Sequence, residues 1–333
     1  MPVEKRYVTD LELDLTEHCN LSCVQCTHNS PFFTPSDEQY SYESFERDLN
    51  ILSKFIHIEA FRMVGGEPLM NKRVLEYAKL IKSLKVSNHI TMFTNGILLH
   101  KAPDKLFTTI DRLRVSVYSL KDDQLELIRK NVKDIRTKFP ELDVVACRIR
   151  MFLKTNLIES HKDPEILKQV YKNCFATTYE HGLAMFNGRL YKCYATRKKY
   201  NFLKAHEHLV KEPFEHMKNP ELDSIAIDEN LTQEKMNEYL DKKEMLEGCK
   251  WCLGCSGKAQ MHQQIGSMPL TEKDYATLED VDIEAGKSYL SNCIFSWTVG
   301  MKDFEFLRDG EHFKAKYLKD YHTKFLFESK QFA

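Results

Sequence analysis

From residue 8 onward apolar and acidic side chains alternate, with Leu11, Leu13 and Leu15 set between Asp10, Glu12 and Asp14, and a period of two is that of a strand. Phe45, Leu49, Leu52 and Ile56 then recur at three- and four-residue intervals, which predicts a helix over 42–57. Residues 60–64 read as the next strand, ended by Gly65-Gly66. The same alternation continues with a helix near 72–84, a strand at 89–93, a helix after Pro103, a strand at 112–118, a helix at 124–139 and a strand at 144–151. Repeated strand–helix units imply a parallel sheet or barrel with its chemistry at the C-terminal ends of the strands. After about residue 172 the pattern changes. Residues 183–186 and 189–192 flank Asn187-Gly188, a pair that supplies the positive φ angles of a tight hairpin turn, so an antiparallel element follows the parallel one. Residues 210–245 are polar and read as mostly helical, and the stretch after 258 carries no readable motif.

Charge excludes one class of function. With 48 basic and 49 acidic side chains the net charge is -1, so nothing marks a nucleic-acid binder. No segment approaches the roughly 20 apolar residues of a membrane span, and the first residues lack the apolar core of a secretion signal. A cytoplasmic location is therefore expected. Ten cysteines, unevenly clustered in a long chain, point to metal or redox chemistry rather than to a disulfide scaffold.

Cys19, Cys23 and Cys26 form a CxxxCxxC loop directly after the first strand, with no fourth cysteine nearby. Three soft thiolates at this spacing suit a cubane iron–sulfur cluster with one iron left open, and part of a zinc site is the alternative. With Gly65-Gly66-Glu67-Pro68 after the second strand and Thr94-Asn95-Gly96 after the third, the first half of the chain resembles the radical SAM superfamily. The resemblance implies an α/β fold, a partial (β/α)6 TIM-type barrel. It also implies a catalytic [4Fe-4S] cluster on Cys19, Cys23 and Cys26 that binds S-adenosylmethionine (SAM). An electron supplied by a donor such as flavodoxin or ferredoxin would release a 5'-deoxyadenosyl radical, which abstracts a substrate hydrogen atom. By the same resemblance Gly65, Gly66, Glu67 and Pro68 would meet the methionyl end of SAM, and a side chain at Gly66 would impair SAM binding while sparing the cluster. Asn95 joins the cofactor-binding set, Ser116 matches a position near the ribose or carboxylate, and Arg129 or Arg148 would pair with the carboxylate.

Cys174 and Cys193 bracket the hairpin, Gly188 stands five residues before Cys193, and Cys249, Cys252 and Cys255 follow as two overlapping Cys-x-x-Cys pairs. This set is similar to a small α+β twitch subdomain, the shortened relative of the SPASM domain, which implies one auxiliary [4Fe-4S] cluster. Zinc is again the alternative. Four ligands are needed and five cysteines are present; spacing leaves open whether Cys249 or Cys255 completes the set. The surplus thiol, or Cys147 or Cys293, would be a candidate hydrogen donor to a substrate radical. The expected organisation is a radical SAM partial barrel at 7–172, a twitch-like auxiliary-cluster domain at 173–260 and an extension of unassigned role at 261–333.

The histidines, His262 among them, fit no ligand spacing, and no pair of acidic residues stands out as acid and base. His28 is expected beside the cysteine loop, with Phe32 and Phe33 shielding it. The expected function is radical modification of a small molecule of sugar, aminocyclitol or nucleoside type, by oxidation, epimerisation or deoxygenation in natural-product biosynthesis. Maturation of a ribosomal peptide or a protein is the alternative, and a non-catalytic zinc or iron–sulfur protein comes third.

Overall fold

The structure, a computed structural model, describes residues 4–33, 40–118, 120–149, 151–178, 182–265 and 275–284, with the pairs 304–305 and 314–315. Its first half alternates strands and helices: β1 (Arg6–Asp14), α1 (Tyr42–Leu52), β2 (Ile56–Val64), α2 (Val74–Leu84), β3 (Ser87–Thr94), α3 (Asp104–Phe107), β4 (Arg112–Val117), α4 (Asp122–Lys138) and β5 (Asp143–Arg148). Short elements follow: β6 (Met151–Leu153), α5 (Pro164–Lys172), α6 (Phe175–Thr178), β7 (Ala184–Phe186), β8 (Arg189–Tyr191), α7 (Tyr194–Arg197), α8 (Lys199–Ala205), β9 (Ser224–Ala226), α9 (Gln233–Asp241) and β10 (Ala259–Met261).

One eight-stranded sheet runs β5-β4-β3-β2-β1-β7-β8-β9 and does not close; β5 and β9 are its edges. Neighbours from β5 through β1 to β7 are parallel, while β8 and β9 turn back antiparallel. The fold is the expected α/β partial barrel. Helices cover one face: Leu11, Leu13 and Leu15 share a core with Phe45, Leu49 and Leu52 of α1, Tyr77 and Ile81 of α2, and Ile128 and Val132 of α4. The other face of β1 carries Asp10, Glu12 and Asp14, which are also buried.

Three local expectations change. The helix expected to reach residue 57 stops at Leu52, because Ile56 and Ile58 alternate with half-exposed His57 and Glu59 and pair with β1 in register Arg6 to Ile56. The strand expected over 144–151 divides at 149–150. Its second piece, β6, leaves the sheet and pairs antiparallel with β10, so the strand on the free side of β1 is β7 of the hairpin. Residues 210–245 hold β9, the nine-residue α9 and single 3-10 turns; Pro213 and Pro220, which lack a backbone donor, break longer helix. The Asn187-Gly188 turn forms as expected, with φ of 42° and 72°.

Candidate active site

The cysteine loop grows out of β1 and rests on the end of β2. Gly66 N–H donates to the Thr16 carbonyl at 2.7 Å and Glu67 N–H to that of His18 at 2.8 Å. A Cβ on Gly66 would lie 1.9 Å from the His18 oxygen, so the paired glycines serve a backbone-to-backbone approach onto this loop. The Glu67 carboxylate accepts from the Thr94 hydroxyl (2.7 Å), Asn95 N–H (2.8 Å) and Leu69 N–H (3.1 Å), and burial raises its pKa. It therefore ties the second strand end to the third. Asn95 continues the chain of contacts, its Nδ2 donating to Asn20 Oδ1 at 2.7 Å and standing 3.7 Å from Cys19 Sγ.

Cys19, Cys23 and Cys26 are free thiols. Burial pushes Cys19 up to about 12 and raises Cys23 further, with thiolate neighbours on the same loop adding to both. The opposite wall comes from the segment after β10. Gln264 Oε1 accepts from Ser22 N–H at 2.7 Å, its Nε2 stands 3.4 Å from Cys23 Sγ, and His262 Nε2 lies 3.1 Å from the same sulfur. His262 stacks on Tyr118 (5.0 Å, 22°) and meets Phe152 edge-on; burial lowers its pKa to about 4, which keeps the ring neutral near pH 7. The position of His262 in the sequence fits no ligand spacing. The pairing of β10 with β6 and the antiparallel bridge of Gln264 with Cys23 carry it back across more than two hundred residues to Cys23.

Next to the loop lies a row of buried acidic residues, Asp10, Glu12, Asp14 and Glu17. Arg62 on β2 reaches Asp10 (2.8 Å) and Glu12 (3.1 Å). Arg197 binds Asp14 (2.7 Å) and Glu17, and Lys198 stands 2.9 Å from Asp14 and 3.2 Å from Glu17. His28 completes the set, Nδ1 being 3.2 Å from Asp14 Oδ1 while its ring stacks on Tyr194 at 5.0 Å. Burial opposes charge on Asp14, but Lys198, Arg197 and the His28 hydrogen bond outweigh it and hold the carboxyl well below its usual range. Burial wins at Glu12, whose pKa is raised despite Arg62. Carboxylates alternating along a strand buried on both faces were the signal available in the sequence. Phe32 lies elsewhere than expected, edge-on to Phe202 and His206 in a second apolar core, while Phe33 sits 6.0 Å from Lys198 Nζ.

The later cysteines converge as well. Cys174, Cys193, Cys249 and Cys252 line one small cavity together with Lys199, Thr177 and Tyr171. Each of the last three thiols is raised by burial, and Cys249 feels the other three sulfurs. Cys255 stays outside that lining: its sulfur accepts from Phe175 N–H at 3.5 Å, and its thiol donates a hydrogen bond to Cys174, whose pKa falls to about 6. A separate cavity of about 500 Å³ lies beside Arg197, between Phe33, Phe186, Tyr191, Tyr200 and Lys218.

Comparison with known proteins bears on the first half of the chain. The model of the radical SAM superfamily matches residues 13–142, which include the cysteine loop, Gly65 to Pro68, Asn95 and Ser116. Residues 13–142 form a radical SAM domain. A GTP 3',8-cyclase of Lactiplantibacillus plantarum is 30% identical over 169 residues, 47% of this chain and 48% of that protein. A probable GTP 3',8-cyclase of Thermococcus kodakarensis is 34% identical over 119 residues, 35% and 38% respectively. The chain thus spans about half the length of the curated relatives it matches, or less. Among solved structures, BtrN in complex with AdoMet and 2-DOIA aligns over 65% of this chain and 86% of that one, with TM-score 0.43 and 14% identity.

The donor set of the radical SAM domain fits an iron–sulfur cluster: three free thiols on one loop, with no carboxylate among the described groups that hydrogen-bond the sulfurs. Among the described residues no three His, Cys, Asp or Glu side chains converge on a point suited to a single ion. A [4Fe-4S] cluster needs no such convergence, since each cysteine binds a different iron. Ser116 is half-buried on β4, two residues before Tyr118, and Arg129 lies on α4 beside the sheet-facing Ile128. Ser116 hydrogen-bonds the Tyr118 side chain, whose ring stacks on His262 beside Cys23. Cys147 pairs with Ser116 across β4 and β5, and Arg148 follows it; the side chains of both, and the whole of Cys293, lie outside the described residues. No described helix is long and apolar enough to cross a membrane.

Proposed function

We propose that this protein is a radical SAM enzyme that modifies a small polar molecule. The observation that carries the reading is the CxxxCxxC loop of free thiols, held by backbone contacts to Gly66 and Glu67 and by Asn95, inside the matched domain. Cys19, Cys23 and Cys26 would hold the catalytic [4Fe-4S] cluster, which with SAM supplies one-electron cleavage of the sulfonium to a 5'-deoxyadenosyl radical. The chain's own residues do the rest. Tyr118, Phe152 and His262 cover the loop and exclude water; Glu67 fixes the ends of β2 and β3 against each other; Asn95 presents an amide beside Cys19.

A cavity of about 500 Å³ that shares Arg197 with the acidic row suits a small molecule rather than a long peptide. The named substrate of the cyclase relatives is a nucleotide, which keeps a nucleoside-type substrate beside sugars and aminocyclitols. Cys174, Cys193, Cys249 and Cys252 would hold an auxiliary [4Fe-4S] cluster, because they line the cavity and Cys255 does not. A low-potential flavodoxin or ferredoxin would supply the electron.

The test is anaerobic reconstitution with iron and sulfide, then reduction in the presence of SAM. Methionine and 5'-deoxyadenosine should form, and Cys19, Cys23 and Cys26 changed together to Ala should stop both while leaving about four irons, one auxiliary cluster, on the protein. Cleavage of SAM by that variant at the wild-type rate would refute the assignment. Turnover of a peptide but of no small molecule would move the substrate to the maturase class.

A further inference from the structure

Lys198 and Lys199 are consecutive, both fully buried, and serve different sites. Lys198 ends between the carboxylates of Asp14 and Glu17, at 2.9 and 3.2 Å. Lys199 lines the four-cysteine cavity instead. Its Nζ donates to Asn156 Oδ1 at 2.7 Å and stands 5.4 Å from the Phe202 ring, and among the described residues no carboxylate lies within ion-pair reach of it. An ammonium buried without a counter-charge is costly, and the groups of that cavity able to supply one are its four cysteines.

We infer that Lys199 is the counter-cation of the auxiliary cluster and sets its reduction potential, a reading that rests on Cys174, Cys193, Cys249 and Cys252 being the ligands. Four thiolates give a [4Fe-4S] site a net negative charge that grows by one on reduction, and a fixed cation beside it stabilises the reduced state more. Position is imposed from the other site. Asn156 holds Nζ with its oxygen, while its Nδ2 donates to Asn29 Oδ1 at 2.9 Å and to the Cys26 carbonyl at 3.4 Å. Asn156 also pairs with Cys252 in an isolated antiparallel bridge, so one residue links the first cysteine loop, the lysine and a ligand of the second site.

The experiment uses the full chain with Cys19, Cys23 and Cys26 changed to Ala, so that any remaining iron belongs to the second site, and follows an anaerobic redox titration by electron paramagnetic resonance. Lys199→Met should lower the equilibrium constant for one-electron reduction about tenfold, which is 59 mV. Lys199→Arg, which keeps the charge, should restore the parent potential. Loss of iron in the Met variant with retention in the Arg variant supports the same conclusion, since charge is then needed for the cluster to bind. An unchanged potential in Lys199→Met overturns it, as does loss of iron or an equal fall in potential in both variants. Absence of iron from the parent, with Lys199 intact, would instead defeat the auxiliary-cluster assignment itself.

Discussion

Gly66 and Asp14 carry the sharpest consequences of single atoms. A Cβ at Gly66 would meet the His18 carbonyl oxygen at 1.9 Å and the Cys19 nitrogen at 2.7 Å. The cysteine loop itself must then move, so the expectation that such a side chain would spare the cluster is revised. Gly66→Ala should cost about 1–3 kcal/mol in chemical unfolding and reduce the iron held by the first site. At Asp14 the folded pKa is depressed below the unfolded value by Lys198 and Arg197. The native state therefore binds fewer protons than the unfolded one, and stability rises with pH through that window. The contribution is complete above about pH 5 and is lost as the pH falls through the folded pKa. Asp14→Asn should destabilise the protein by about 3–5 kcal/mol at pH 7, because two buried cations lose a partner, and should flatten acid unfolding below pH 4. A denaturation series against pH reads both.

Two elements decide where the sites meet. The hairpin of β7 and β8 is pinned to α1 by Asp48, which accepts from Gly188 N–H at 2.6 Å and from the Tyr40 hydroxyl at 2.5 Å. This contact positions the segment after β8, from which Cys193, Arg197, Lys198 and Lys199 reach two sites. The segment after β10 closes the first loop through Gln264, whose side chain accepts from Ser22 N–H and donates toward Cys23. Gln264→Ala should cost about 1–2 kcal/mol from the two lost contacts and speed alkylation of Cys23 in metal-free protein. Mass spectrometry of the labelled peptide measures it, and labelling at the wild-type rate would mean that Gln264 does not cover the loop.

Across the whole molecule the two cysteine sites are neighbours, joined through Asn156 and the consecutive residues Arg197, Lys198 and Lys199. Iron stoichiometry tests how the thiols are shared. Cys249→Ala should lose about four irons, whereas Cys255→Ala should retain them, since only Cys249 lines the cavity. If the two variants lost iron equally, that division would be wrong.

The strand–helix alternation, the hairpin turn and the first cysteine motif were legible in the sequence because each depends on residues close together along the chain. A period of two or 3.6 reports one buried face, Asn187-Gly188 carries its own backbone preference, and three cysteines within eight residues cannot be far apart. The end of the helix at Leu52 is not legible locally, because Ile56 suits either period until β1 pairs with it. His262 beside Cys23, Cys249 rather than Cys255 in the cavity, and the pairing of Asp14 with Arg197 and Lys198 were decided by tertiary structure alone. Each joins residues whose local sequence is indifferent to the contact. The return of β10 to β6 and the seating of β7 on β1 bring them together, and the burial of charge then makes those pairings obligatory.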